Sequence, residues 1–118
     1  MIRIKNVTKD YGSNKGVFDL SFEVQDQETF GLLGMEGAGK TTLLQILMGF
    51  SNLSGGRCTI SAKHCWKQST GIKNFTGYLP QKITLPESMT GLQFFRFLAD
   101  LRNRKSLEKA IRTADAFE

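Results

Sequence analysis

The stretch Gly34-Met35-Glu36-Gly37-Ala38-Gly39-Lys40-Thr41-Thr42 constrains this 118-residue chain more than any other. It satisfies the pattern GxxxxGK[ST], and its neighbours fit the same reading. Before it stands a short apolar run without alternation, Thr29-Phe30-Gly31-Leu32-Leu33, as in a strand buried on both faces of a sheet. After it, Leu43, Leu44, Ile46, Leu47 and Met48 make a mostly apolar helix ended by Gly49. In a strand–loop–helix unit, Gly34, Gly37 and Gly39 let the backbone turn so that successive N–H groups, Ala38 included, face one concavity. That concavity lies at the positive end of the following helix, where phosphate oxygens bind. Lys40 adds a flexible positive charge for the β and γ phosphates. The Thr41 hydroxyl suits Mg2+ and the Thr42 hydroxyl the α phosphate, so ATP and Mg2+ are the expected ligands.

Around this unit the chain reads as one small α/β domain. Ile2, Ile4 and Val7 give a strand with partial alternation, and Val17 to Val24 give one with full alternation. The Gly-, Ser-, Asn- and Lys-rich turn from Tyr11 to Gly16 joins them as a β-hairpin. Cys58-Thr59-Ile60 predicts a further strand, and a polar surface loop, SAKHCWKQSTG, follows it. Thr90 and Gln93 spell a capping box for a helix whose apolar stripe is Leu92, Phe95, Leu98 and Leu101. A second helix is expected from Ser106 to Phe117 after the Arg-Asn-Arg-Lys break.

Composition narrows the function. The net charge of +5 lies entirely in residues 60–118, where basic residues number ten against five acidic ones, and these are spread thinly. That spacing reads as a solvated face and not as a nucleic-acid groove. No apolar run approaches the roughly 18–20 residues of a membrane span, and the first residues lack the apolar core of a signal peptide, so the chain reads as cytoplasmic. Cys58 and Cys65 could pair in principle, but a cytosolic setting keeps thiols reduced. His64 beside Cys65 lacks two further ligands at zinc-site spacing.

Three features in register resemble the N-terminal half of the nucleotide-binding domain of the ATP-binding cassette (ABC) family. Tyr11, in VTKDYG before the phosphate loop, stands where that family stacks an aromatic ring on adenine. The run LSFEVQDQETFGLLG resembles the family's entry into the loop, with Gln27 in place of the usual turn glycine and Met35-Glu36 in place of Pro-Asn. Met35 supplies backbone only, whereas Glu36 sets a carboxylate near the phosphates and weakens binding somewhat. Gly77-Tyr78-Leu79-Pro80-Gln81, 41 residues after Lys40, is similar to the family's Q-loop, where a glutamine at a strand end reaches Mg2+ or the attacking water. The resemblance implies Lys40 and Gln81 as catalytic residues, with Thr41 and Gln81 as metal ligands.

The resemblance also implies a P-loop NTPase core with an N-terminal antiparallel β-hairpin subdomain and the start of a helical subdomain. Residues 1–83 would form the hairpin, loop and Q-loop lobe, and residues 84–118 the beginning of the helical part. In the family this part meets a membrane-spanning permease, and two domains dimerise head to tail around ATP; Phe94, Phe95 and Leu98 read as core, and Phe97, off the main stripe, is the better candidate for a partner contact, with core its default reading at helical spacing. The location implied is peripheral, at the inner face of the plasma membrane through those partners. No segment after Gln81 offers the Walker B strand, the catalytic Glu or the switch histidine, so hydrolysis by the chain alone is not expected.

Two other readings use the same loop. GMEGAGKTT is also similar to the phosphate loop of thymidylate kinases, but those begin almost directly with the loop strand, while here a 30-residue region carrying Tyr11 comes first. A remnant that folds around the same core without useful ATP affinity is the other. The letters Leu53-Ser54-Gly55-Gly56 also spell the start of the family's LSGGQ signature. They stand only 13 residues after Lys40, are followed by Arg57 and a predicted strand, and therefore read as a turn in which Gly55 and Gly56 supply positive φ.

Overall fold

A computed structural model describes residues 1–102 and 105–116. Four strands, β1 (Ile2–Asp10), β2 (Gly16–Val24), β3 (Gly55–Ile60) and β4 (Lys63–His64), form one antiparallel sheet in the order β2-β1-β3-β4. The helices are α1 (Lys40–Leu47), α2 (Ser69–Lys73), α3 (Gly91–Arg102) and α4 (Lys105–Asp115). They fall into two compact units, Met1–Tyr78 and Leu79–Glu118. No helix among the described residues is long and apolar enough to cross a membrane.

The first unit is organised by the hairpin β1–β2, and its alternation is broken for a physical reason. Asn6 and Asp19 both have positive φ (48° and 49°), and the β1–β2 register shifts between Ile4 and Val7. The Asn6 side-chain amide donates to Asp19 Oδ1 at 2.7 Å, and the Asn6 N–H donates to Ser21 Oγ at 2.8 Å. The bulge changes the phase of the side chains, so that Ile4 and Val7, three residues apart, are both buried. On β2 the same change buries Val17 and leaves Phe18 exposed, which corrects the uninterrupted alternation expected there. Gly56 crosses this bulge with φ 84°, and a Cβ there would lie 2.1 Å from the Asn6 carbonyl oxygen. Gly55 carries no such conformation. The LSGG letters thus open strand β3, hydrogen-bonded to β1 through the Ser54 N–H and the Thr8 carbonyl at 2.9 Å.

One expected element does not form. Residues 29–33 are not a strand: Phe30 stacks its ring on Phe22 with centroids 4.9 Å apart, and Leu33 is 93% exposed. A strand needs neighbours to take its backbone hydrogen bonds, and the four described strands pair only among themselves. The turn that leads into this segment shows the effect of the departure at Gln27. The Glu28 N–H donates to the Gln25 carbonyl at 3.4 Å, and Gln27, third in the turn, has φ 64°. Positive φ at that position is the type II requirement that glycine meets without strain.

The expected surface loop after β3 is also different. β4 and α2 form within it, and Cys65 and Ile72 are buried in the core with Ile4, Val7, Leu43, Ile46, Cys58 and Ile60.

In the second unit the capping box closes as expected: the Thr90 N–H donates to Gln93 Oε1 at 2.8 Å, and the Gln93 N–H to Thr90 Oγ1 at 3.3 Å. α3 packs on α4, and among the described side chains of α3 the buried one is Ala99. Leu98, expected in the core, is exposed, as are Leu92, Leu101 and Phe97, while Phe94 and Phe95 are half-buried. Two helices offer too little facing surface to cover a full apolar stripe. Phe117, the expected end of the last helix, lies outside the described residues.

Two substitutions test the backbone argument. Gln27→Gly should raise the unfolding free energy by about 1 kcal/mol, because a left-handed L-residue costs roughly 1–2 kcal/mol. Gly56→Ala should lower it by on the order of 2 kcal/mol or more, since it adds a backbone collision to the same strain. Urea titrations followed by circular dichroism read both, and a neutral Gly56→Ala would refute the close approach at Asn6.

Candidate functional site

α1 holds the phosphate loop. Its buried face, Leu43 and Ile46, packs into the core formed by β1 and β3. At its far end the Gly49 N–H donates to the Ile46 carbonyl (3.0 Å) and the Phe50 N–H to the Gln45 carbonyl (2.8 Å), with Gly49 at φ 67°. This Schellman pattern satisfies the last carbonyls and fixes where the helix stops. Phe50 then meets the edge of Tyr78 with centroids 5.7 Å apart, under the Lys73 ammonium at 4.8 Å. The first unit therefore anchors the residue from which the YLPQ segment departs. Sequence reading missed this role of Phe50, whose only signal was an aromatic directly after a helix-ending glycine.

At the near end, Gly39 is the N-cap of α1, with φ 85° and ψ 8° and no side-chain cap. The N–H of Leu43 returns to the Gly39 carbonyl at 2.9 Å. The N–H groups of the first turn have no intrahelical acceptor, and no acidic side chain stands in that turn. The result is a set of convergent donors with the positive end of the helix behind them.

A side chain at Gly39 would strike Val17 Cγ2 at 2.5 Å and approach the Gly16 carbonyl at 3.2 Å. The loop is thus seated on the first residues of β2, a contact the sequence did not reveal. Gly37 also has positive φ, at 80°, whereas Gly34 does not. At Gly34 a Cβ would come within 3.2 Å of Ala38 Cβ, a tight approach that a shift of a few tenths of an ångström relieves. The Ala38 N–H closes the turn on the Met35 carbonyl at 3.2 Å.

The Lys40 ammonium bridges the loop, donating to the carbonyls of Gly34 and Met35 at 2.6 Å each. An ammonium has three donors, so one is left for a ligand anion. Thr41 is exposed at the start of α1 and Thr42 is half-buried. A cleft of about 340 Å³ runs beside the loop, lined by Val17, Leu20, Leu32, Ala38 and Lys40 among others. A larger hollow of about 590 Å³, bounded by Arg3, Lys5, Phe22 and Arg57, contains no residue of the loop.

Tyr11 belongs to the same end of the hairpin. Its N–H donates to the Lys15 carbonyl at 2.9 Å, which closes the turn before Gly16, and its ring is half exposed with the Lys9 ammonium 5.1 Å from the centroid. The chain of contacts is short: Tyr11 closes the turn, the turn delivers Gly16 and Val17, and these touch Gly39. Gln81 belongs to the second unit, in an exposed bend after Pro80, and residues 77–79 before it are not a strand. The expected position at a strand end is therefore not what forms.

A family model described as ABC transporter matches residues 17–118. An uncharacterized ABC transporter ATP-binding protein of Synechocystis is 45% identical over 82 residues, covering 70% of this chain and 23% of the relative. The probable multidrug ABC transporter ATP-binding protein YbhF of Escherichia coli is 32% identical, covering 99% of this chain and 21% of the relative. Linearmycin resistance ATP-binding protein LnrL of Bacillus subtilis is 30% identical, covering all of this chain and 38% of the relative. Among solved structures, a dimeric bacterial ABC transporter cassette superposes with a TM-score of 0.79 at 20% identity, over 95% of this chain and 55% of that one. A dimeric post-hydrolysis cassette bound to ADP and Pi gives a TM-score of 0.78 over the same shares. The chain thus spans between about a fifth and two fifths of these curated relatives. The family match over residues 17–118, which takes in the strand β2, the glycine-rich loop and the helix α1 that it heads, makes this chain a member of the ABC transporter family.

Proposed function

We propose that the chain is the nucleotide-binding lobe of an ABC transporter ATP-binding subunit, and that it holds Mg-ATP without hydrolysing it alone. The observation that carries this reading is the Gly39–Lys40 junction. There uncapped helix N–H groups and a lysine with one uncommitted donor face the cleft beside β2. The backbone N–H groups of Gly37, Gly39 and Lys40 and the Lys40 ammonium would bind the phosphates, with the Ala38 N–H joining them once released from the Met35 carbonyl. The remaining Lys40 donor would make an ion-paired hydrogen bond to a phosphate oxygen. The Thr41 hydroxyl would be a ligand for Mg2+ and the Thr42 hydroxyl would take the α phosphate; the family resemblance makes Gln81 a further candidate metal ligand. Tyr11 offers a flat π face to the adenine, an interaction of about 1–3 kcal/mol by analogy with base stacking. The names of the relatives and the bound ADP of the matched cassette support ATP as the ligand.

Hydrolysis needs a general base and a stabiliser of the transferred phosphoryl group. No carboxylate is placed for the first task by the contacts of the described loop, and Glu36 is exposed. The partners that complete the machine are a second nucleotide-binding domain and a membrane-spanning permease, which would hold the subunit at the inner membrane face. Nothing in the chain favours nucleic acid as a partner. The remnant reading predicts no measurable affinity and the kinase reading predicts turnover.

A titration of fluorescent ATP with Mg2+ should show saturable binding by the wild-type chain. Lys40→Ala should weaken it by at least tenfold, the loss of a charge-assisted bond of about 1.5–3 kcal/mol. Absence of binding in both proteins would favour the remnant. Phosphate release should stay at the no-protein level, and phosphotransfer from ATP to dTMP would overturn the reading in favour of a kinase. Tyr11→Ala should weaken ATP by about tenfold while changing triphosphate affinity little, which isolates the adenine contact.

A further inference from the structure

The ladder between β3 and β4 pairs Thr59 with His64 and Ile60 with Lys63. One step further along, the Cys65 N–H donates to the Cys58 carbonyl at 3.0 Å, so the two cysteines face each other across the hairpin. Their sulfurs are 2.7 Å apart, both residues are buried, and both are free thiols. That separation is longer than a disulfide bond of about 2.05 Å, and the register, carried one step past β4, sets the two cysteines directly opposite each other. We infer that Cys58 and Cys65 are a reversible oxidation site, a dithiol that a hydroperoxide converts to an intramolecular disulfide beneath the phosphate-loop helix.

Simple core packing would also bury two cysteines, since a free thiol behaves as a small hydrophobe. Packing alone gives no reason for the sulfurs to turn toward each other. Electrostatics sets an order for the two. The hydrogen bond from Cys58 holds the Cys65 thiol below the ordinary thiol range, and the same bond together with burial pushes Cys58 up. That direction agrees with the position of Cys65 directly after the edge strand β4, so Cys65 is the thiol that meets the oxidant first. It follows a two-residue edge strand and precedes exposed Trp66 and Lys67, so a small fluctuation of that edge admits a molecule the size of hydrogen peroxide.

The chemistry balances in two steps. The Cys65 thiolate attacks one peroxide oxygen and the O–O bond breaks, leaving a sulfenic acid and hydroxide; the hydroxide takes the proton that Cys65 gave up. The Cys58 sulfur then attacks the Cys65 sulfur, the S–O bond breaks, and the departing hydroxide leaves as water with the Cys58 proton. Two thiols are oxidised, one peroxide is reduced, and two waters form.

The bridge would act on the floor of the site. Leu43 and Ile46 of α1 share one core with both cysteines, and a Cβ at Gly49, where α1 stops, would lie 2.6 Å from the Cys65 carbonyl. Closing the short loop between cysteines seven residues apart should lower the unfolding equilibrium constant by roughly 50-fold.

The test uses the reduced wild-type chain under native conditions, treated with one to two equivalents of hydrogen peroxide. It is then quenched, denatured, alkylated and mapped by mass spectrometry. The expected product is lighter by two hydrogens, resists alkylation at both cysteines, yields a Cys58–Cys65 linked peptide and returns to the starting mass with dithiothreitol. Its urea midpoint should exceed that of the reduced chain. Two alkylatable thiols, an oxygen-added product without a bridge, or an intermolecular bridge would each overturn the inference. In Cys58→Ser, Cys65 should accumulate sulfenic acid that dimedone traps, and no label there would refute the stated order. Should that variant not fold, the wild-type map decides alone. None of these readouts involves nucleotide, so the outcome is independent of the ATP assignment.

Discussion

The packing of α1 against the sheet is the contact on which the site depends. An eight-residue helix is too short to persist in water by its own hydrogen bonds. It forms because Leu43 and Ile46 bury against the inner residues of β1 and β3, and because the Schellman pattern at Gly49 and Phe50 ends it cleanly. Once the helix is placed, Gly39 meets Gly16 and Val17, and the loop has nowhere else to go. The donors that face the cleft are therefore a by-product of core packing some distance from them.

The bulge at Asn6 and Asp19 serves the same end from the sheet side. By shifting the side-chain phase it buries Ile4 together with Val7, and on β2 it buries Val17, the residue that Gly39 touches. Each positive φ in this bulge belongs to a residue with a short polar side chain, and Asn6 answers Asp19 directly across the hairpin. Gly56 passes over the Asn6 carbonyl where any other residue would collide. The phosphate loop, the bulge and the start of β3 are thus one mechanical assembly.

The readings that held are those written in consecutive residues. The β1–β2 hairpin, the helix from Lys40, the capping box at Thr90 and Gln93 and the strand after Gly56 each depend on local pattern. The readings that changed depend on neighbours. Phe30 to Leu33 have the composition of a buried strand but no adjacent strand to bond, so Phe30 stacks on Phe22 and Leu33 is exposed. Leu98 follows helical spacing as a core residue should, yet its surface outruns what α4 can cover. Cys65 looked like part of a polar loop because its neighbours are polar; the ladder with β3 turns it inward against Cys58.

By itself the sequence determined the phosphate loop and the order of elements around it, because glycine placement, a helix-starting lysine and hydroxyls act over a few bonds. It also separated the letters from Leu53 to Gly56 from the family signature by reading them as a turn ahead of a strand, whereas the structure takes Gly55 and Gly56 into β3 itself. Tertiary structure alone decided that Gly16 and Val17 seat the loop at Gly39, and that two thiols seven residues apart share one contact. Those facts rest on which surfaces meet across the sheet, and strand register and bulge phase fix that long after local propensity has been satisfied.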